Sequence, residues 1–143
     1  MKSVVLFSYP KAVIVRHYPE ARACVATWEA LSSPHFREAV ERGLTECGRL
    51  GGKSWIVDLS GPSPGVPTQA DLAWIQTDCL DVARNAGIRA VINVHGKSTV
   101  ATMGAKRWNK MVSEGGLSTY DCTTLADALA LADEVARGKI DQE

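Results

Sequence analysis

The sequence predicts an α/β fold: a single mixed β-sheet, with an antiparallel N-terminal meander and parallel later strands, packed with about four helices. Three β-rich runs come first and are separated by turn-forming residues. Later apolar runs alternate with amphipathic helical patterns, and strands separated in this way pair in parallel through right-handed crossovers. The run Ala90 to Val94 is almost continuously apolar, which is typical of a strand buried on both faces.

The first part of the chain predicts the meander and one helix. Ser33 and Pro34 indicate the start of that helix, with Ser33 as the N-cap and Pro34 as the first helical residue. Gly51-Gly52 is placed where a helix C-cap is expected. The expected strands are Val4 to Ser8, Ala12 to Tyr18 and Arg22 to Trp28. The inward face of the helix is expected to hold Phe36, Val40, Leu44 and Cys47.

The second part predicts strands alternating with helices. The strands are Ser54 to Leu59, Ala90 to Val94 and Leu117 to Tyr120, and the helices are Thr68 to Ala86, Ser98 to Val112 and Thr124 to Arg137. Thr68 with Asp71, and Thr124 with Asp127, form capping pairs at two of the helix starts. The expected apolar faces hold Leu72, Ile75, Cys79 and Val82, then Val100, Met103, Trp108 and Met111, then Leu125, Leu129, Ala132 and Val135.

Composition indicates an ordinary globular domain. We expect one domain over 1–137 and a frayed tail over 138–143. Basic and acidic residues balance at 16 each, whereas a nucleic-acid binder usually shows a basic excess, so we expect no nucleic-acid partner. Without a membrane-length apolar run or a signal-peptide pattern, a cytoplasmic location is expected. The four widely spaced cysteines favour core thiols.

Four segments carry a resemblance to a known family. Trp55 to Ser60 is similar to a strand that ends in a Val-Leu-Asp-Leu pattern before a loop and a helix. Asp71 to Ile75, Gly87 to Val94 and Tyr120 to Leu129 add further similar segments. Together they resemble the STAS-like proteins, the fold group of the sporulation anti-sigma factor antagonists, over most of the chain after Ala23.

The resemblance implies a function as well as a fold. Members of this superfamily are mostly non-enzymatic protein-interaction modules, and many are switched by phosphorylation at the start of the helix after the aspartate strand. The counterpart here is Thr68, with Ser60 and Ser63 as weaker candidates in the same loop. The antagonists carry an Asp-Ser-Ser-Gly-like motif where this chain has Val66 to Gln69, and Thr68 acting only as an N-cap is the alternative interpretation.

Other residues at the strand ends are candidates for interaction or anion binding. Asp58 could orient a ligand or hold its own loop through backbone N–H groups. Gly96, Lys97 and Ser98 resemble the end of a P-loop, but the motif requires glycine at position 91, which is Val91. An exposed helix start with Lys97 could still hold an anion. Trp74 lies beside an apolar stripe, so it is interpreted either as a half-exposed interaction anchor or as a residue that covers the edge of the core.

The leading expectation is therefore a non-catalytic regulatory or scaffold domain with a protein partner, including a possible homodimer through an N-terminal edge strand. One alternative is a carrier of a small apolar ligand or an anion. A less favoured alternative is a small enzyme with its site at Asp58 and His95. His17, His35 and His95 lack metal-ligand spacing, so neither a metal nor another cofactor is expected.

Overall fold

A six-stranded β-sheet forms the centre of the computed structural model, which describes residues 1–139. The strands are β1 (Val4–Tyr9), β2 (Val13–Tyr18), β3 (Ala23–Trp28), β4 (Ser54–Leu59), β5 (Ala90–His95) and β6 (Ser118–Cys122). They lie in the sheet in chain order. The first two pairings are antiparallel and the other three are parallel, which confirms the predicted mixed sheet.

Four helical rods accompany the sheet, as predicted. The helices are α1 (Phe36–Arg49), α2 (Gln69–Trp74), α3 (Leu80–Ala86), α4 (Thr99–Glu114) and α5 (Leu125–Ala136). A π-helical turn, Ile75–Cys79, joins α2 to α3 without a break, so these three elements form one rod. The sequence pattern predicted this rod as a single helix and did not show the π turn.

The two faces of β4 and β5 are covered by different helices. Alternate side chains of a strand point to opposite faces of the sheet. Trp55, Val57 and Val91 belong to the larger apolar cluster, which also contains the inner residues of α1 to α4. Ile56 and Ile92 belong to a smaller cluster with α5. Helices α1 to α4 therefore lie on one face, and α5 lies on the other.

The first helix begins two residues later than predicted. Ser33 Oγ accepts a hydrogen bond from the His35 backbone N–H at 3.1 Å, and the Phe36 N–H donates to the Ser33 carbonyl at 3.1 Å. Ser33 thus closes a turn that contains Pro34, and the helix starts at Phe36. The prediction of Pro34 as the first helical residue is wrong because the serine side chain stabilises this turn instead.

The inward face of α4 also differs from the prediction. Val100 and Met103 are 57% and 64% exposed, so their expected place on the apolar face is wrong. Gly104 contacts Val66, and the ring of Trp108 is buried. The buried positions of this helix are Ala101, Gly104, Ala105, Trp108 and Val112. Because Ala101, Gly104 and Ala105 are small, they permit close approach of the backbone, and this side of α4 faces inward. Val100 and Met103 are therefore left in solvent.

The end of the described chain closes α5. The Gly138 N–H donates to the Val135 carbonyl at 3.1 Å, and the Lys139 N–H donates to the Glu134 carbonyl at 2.9 Å. Gly138 has φ +70°, which suits a glycine at a helix C-terminus. The rest of the expected frayed tail, 140–143, lies outside the described residues.

Gly43 gives the first test of this core. A Cβ atom at Gly43 would overlap the six-membered ring of Trp55, including its Cη2 atom. Gly43→Ala should lower the free energy of unfolding by about 1–3 kcal/mol, a typical cost of overpacking. Urea denaturation measures this loss, and Thr45→Ala, at an exposed position of the same helix, is the control. Trp55→Phe removes the overlapping atoms, so the double variant should lose less than the sum of the single losses.

His17 gives a second test, through pH. Its side chain is buried, its Nε2 atom has no hydrogen-bond partner among the described residues, and burial lowers its pKa below 6.5. A lowered pKa means that the folded protein favours the neutral imidazole. Stability from this group is therefore fully present above pH 6.5 and is lost as the pH falls through the folded-state pKa.

His17→Phe should flatten the pH dependence of the unfolding free energy in that range, as measured by urea titrations above and below pH 6.5. The matched control is His35→Phe, because the His35 side chain is half exposed. Equal flattening by the two substitutions would contradict the assignment to His17.

Candidate functional site

The carboxyl ends of the parallel strands bring two predicted candidate loops into contact. A Cβ atom at Gly96 would lie 2.8 Å from Ser60 Cα and 3.1 Å from the Leu59 carbonyl oxygen. Only glycine therefore permits this close approach of the two backbones. The contact gathers Ser60, Gly96, Lys97 and Ser98 at one edge of the sheet.

Asp58 holds its own loop in place. One carboxylate oxygen accepts the backbone N–H of Ser60 at 3.0 Å, and the other accepts the hydroxyl of Thr27 at 3.4 Å. The side chain is buried. Of the two interpretations of Asp58 from the sequence, these contacts match the structural one, in which an aspartate stabilises a turn at a strand end.

Asp58 and His95 do not form a common site, because they face opposite sides of the sheet. Asp58 is paired in register with Val94, which belongs to the cluster under α5. His95 lies on the same side of β5 as Val91, whose cluster lies under α1 to α4. The sheet therefore separates the two side chains that the enzyme hypothesis would need together.

The segment 60–68, called here the 60–68 loop, is fixed at several points. The Pro64 carbonyl accepts the Leu31 N–H at 2.8 Å, and Pro64 and Pro67 are buried. Val66 packs against Gly104 of α4. Between and beside these anchors, Ser60, Ser63 and Thr68 are exposed. The loop thus presents all three predicted phosphoacceptor candidates from a well-supported backbone.

Thr68 caps α2 and lies next to a charged pair. Its Oγ1 accepts the Asp71 N–H at 3.1 Å, so the predicted cap is present. The Asp71 carboxylate turns away and accepts a hydrogen bond from Arg37 Nε at 2.7 Å. The Asp71 side chain is only 12% exposed, whereas that of Arg37 is 48% exposed. An exposed hydroxyl therefore lies one helical turn from a carboxylate that is already paired with a guanidinium.

Ser98 plays the same capping part at α4. Its Oγ accepts the Ala101 N–H at 3.2 Å, so the side chain satisfies one of the free donors of the helix start. Gly96 and Lys97 are exposed beside it. These contacts explain Ser98 as a cap, and Lys97 makes no ion pair within residues 1–139.

A polar network that the sequence analysis missed joins β5, β6 and α4. Asn93 is fully buried, and its Nδ2 donates to Asn109 Oδ1 at 2.7 Å and to Asp121 Oδ1 at 3.3 Å. The Trp108 indole N–H donates to Asn93 Oδ1 at 3.0 Å. His95 Nε2 lies 2.6 Å from Asp121 Oδ1. The one signal in the sequence was an amide side chain in the middle of an apolar strand.

This network lowers the pKa of Asp121. Partial burial of the carboxyl raises its pKa, but hydrogen bonds from His95, Asn109 and Asn93 lower it more, so the pKa falls below 3.8. His95 Nδ1 is enclosed and has no partner among the described residues. The His–Asp pair thus lacks the nucleophile that would complete a triad, and it acts here to hold α4 and β6 against β5.

Trp74 is in the core, and the interpretation of it as a half-exposed anchor is wrong. It is 8% exposed, and its ring packs edge-on against Phe36 with centroids 6.2 Å apart. The position beside the apolar stripe of α2 faces α1, and for this reason Phe36 covers the indole.

An apolar cavity of ≈ 60 Å³ lies beneath the helices on the larger face, with Trp28, Trp55 and Trp108 in its wall. Pockets for drug-sized ligands occupy about 300–1,000 Å³. This cavity is too small for such a molecule, which weakens the carrier hypothesis as far as this cavity is concerned.

The cysteines are all free; Cys24 and Cys47 are buried, and Cys79 and Cys122 are partly buried. Within residues 1–139, no three side chains of His, Cys, Asp or Glu form a cluster that could hold a metal ion. In the same part of the chain, no helix is both long enough and apolar enough to cross a membrane.

Comparison of this chain with protein-family models, curated proteins and solved structures finds no match. Function is therefore inferred from the geometry of the residues themselves.

The polar network is tested by the titration of Asp121. Asn109→Ala removes hydrogen bonds to the carboxylate, so the pKa of Asp121 should rise toward 3.8, as followed by carboxyl NMR signals against pH. Asn85→Ala, at an exposed position of α3, is the control and should leave this pKa unchanged.

The same substitution should make the stability of the fold less sensitive to acid. Because the folded-state pKa is lowered, the stability from Asp121 is present above pH 3.8 and is lost as the pH falls through the folded value. In Asn109→Ala this pH-dependent loss should become smaller. An unchanged Asp121 pKa would show that the hydrogen bonds from Asn109 do not lower the pKa of this carboxyl group.

Proposed function

We propose that this chain is a STAS-like regulatory or scaffold domain of the cytoplasm that binds another protein, has no catalytic activity and is switched by phosphorylation of Thr68. The observation that carries the proposal is the 60–68 loop, which is anchored at Pro64 and Val66 yet leaves three hydroxyl groups exposed. A pre-organised loop loses little conformational freedom on binding, which favours its use as a recognition surface.

Thr68 is the preferred phosphoacceptor because of its electrostatic surroundings. A kinase would transfer the γ-phosphoryl group of ATP to Thr68 Oγ1, with release of ADP and of the hydroxyl proton. The new group carries a charge of about −1.5 to −2 and lies at a helix N-terminus, which favours anions. Asp71, three residues along the helix, would repel the new group, and Arg37, which is paired with Asp71, would attract it.

Phosphorylation of Thr68 would change the charge and the ion pairing of the surface at the start of α2. Arg37 is hydrogen-bonded to Asp71 in the unmodified protein. A phosphate on Thr68 competes for the guanidinium, since a phosphate attracts it at least as strongly as a carboxylate does. The pair that links α1 to α2 is then weakened, and the charge at the start of α2 becomes strongly negative.

Three observations support a role without catalysis. Asp58 and His95 lie on opposite faces of the sheet, and the His95–Asp121 pair has no nucleophile bonded to it among the described residues. The strand order also never reverses. Ligand crevices of open α/β sheets form where it does reverse.

The proposal is tested by separating charge from capping at position 68. Thr68→Asp and Thr68→Asn both keep a good N-cap, but only the first adds a negative charge. Each variant, fused to an affinity tag, is used to capture proteins from the native host, and the captured proteins are quantified by mass spectrometry. We expect a partner that Thr68→Asn retains and that Thr68→Asp loses by about tenfold, which corresponds to about 1.4 kcal/mol.

Thr45→Asp, at an exposed position of α1 outside the loop, is the control for added charge and should retain the partner. Identical sets of proteins captured by Thr68→Asp and Thr68→Asn would contradict the switch. Phosphopeptide mapping of the protein from its own host provides a second measurement, and phosphate found only on other residues would exclude Thr68.

A further inference from the structure

A groove of ≈ 630 Å³ runs between α2 and α4 on the outer side of the helical layer. Leu72, Ala73 and Met111 form its apolar floor. Gln69 of α2 and Gln76 of the π-helical turn line the side opposite α4. The groove begins next to Thr68, because Gln69 is the residue that follows it in the chain.

The wall on the side of α4 is basic. Arg107 and Lys110 line it and are exposed, and within residues 1–139 neither forms an ion pair with a carboxylate. Glu114, at the far end, is the groove's one carboxylate among the described lining residues. The groove therefore combines an apolar floor with two cations that lack a protein partner.

The basic wall continues into exposed apolar surface. Residues Val100, Met103, Arg107 and Lys110 are spaced by three, four and three positions, so they share one face of α4. Val100 and Met103 are the large exposed apolar side chains of this helix. A ligand that follows this stripe meets apolar contacts at one end and positive charge farther along.

We propose that this groove binds an acidic amphipathic helix of a partner protein. Apolar side chains spaced at three and four positions would pack on the groove floor and on Met103. Carboxylates on the same helix would pair with Arg107 and Lys110. Charge complementarity selects this occupant, since a basic or purely apolar helix would leave both cations unpaired.

The inference rests on the proposed function and specifies its partner. Phosphorylation of Thr68 would place negative charge at the end of the groove, next to Gln69, where it repels an acidic helix. The phosphorylated domain should therefore release the helix, which gives the direction of the switch.

Site-specific photo-cross-linking in the native host tests the proposal. Ala73→p-benzoylphenylalanine places a photoreactive ring on the exposed groove floor of the full chain. Glu134→p-benzoylphenylalanine, on α5 at the opposite face, is the control. The expected product is a cross-link, specific to position 73, to a segment with acidic residues and with apolar residues at three- and four-residue spacing.

Charge reversal identifies the contacts. Arg107→Glu with Lys110→Glu should reduce the yield of the position-73 cross-link by about tenfold, since two attractive contacts become repulsive. Lys106→Glu reverses one charge at an exposed position of the same helix, outside the groove lining, and should leave the yield unchanged. Circular dichroism melts of both charge variants check that they remain folded.

Other products overturn the proposal. An acidic helix is excluded as the occupant if the cross-link yield at position 73 is no higher than at the control position. It is also excluded if the cross-link is to lipid, to a second copy of this chain or to a segment without carboxylates. If the expected cross-link forms equally with Thr68→Asp and Thr68→Asn, the groove is retained and the phosphorylation switch fails. If Thr68→Asp and Thr68→Asn capture different proteins but no cross-link forms at position 73, the switch is retained. The groove is then not the binding site of the partner.

Discussion

Burial of β4 and β5 on both faces is the constraint on which the rest of the structure depends. Ile56 and Ile92 are completely buried on the side of α5, and Trp55 and Val91 are buried under the other helices. Strands with no solvent-facing side require a helical layer above and below. Because the crossovers put α1 to α4 on one side of the sheet, α5 must cover the other side. At the carboxyl ends of β4 and β5, the two loops approach each other closely at Gly96.

In this arrangement, the polar residues at the strand ends stabilise the fold. Asp58 holds a turn, Ser98 caps a helix, and Asn93 and Asp121 bind α4 to the sheet. A buried amide in an apolar strand would be costly without partners, and the network provides them. Surface free for recognition is found instead on the 60–68 loop and on the outer sides of α2 and α4.

Loop and groove form one continuous region because the same residues join them. Val66 packs on Gly104, next to Met103 on α4, and Thr68 precedes the first groove residue of α2. Under the proposed switch, a charge added at Thr68 would act on the Arg37–Asp71 pair and on the groove. The anchors of the loop at Pro64 and Val66 would let such a change act on the groove without a large movement of the backbone.

The sequence alone determined the order of elements, the mixed sheet and the capping threonines, because periodicity and caps depend on residues close in the chain. Contacts between distant segments were decided only by the tertiary structure. Phe36 buries Trp74, close approach at Gly104 turns Val100 and Met103 outward, and the sheet separates Asp58 from His95. A periodic pattern shows that a helix has an apolar side. The rotation of that helix about its axis depends on which neighbour it packs against, and this rotation decides which side chains are exposed and available for function.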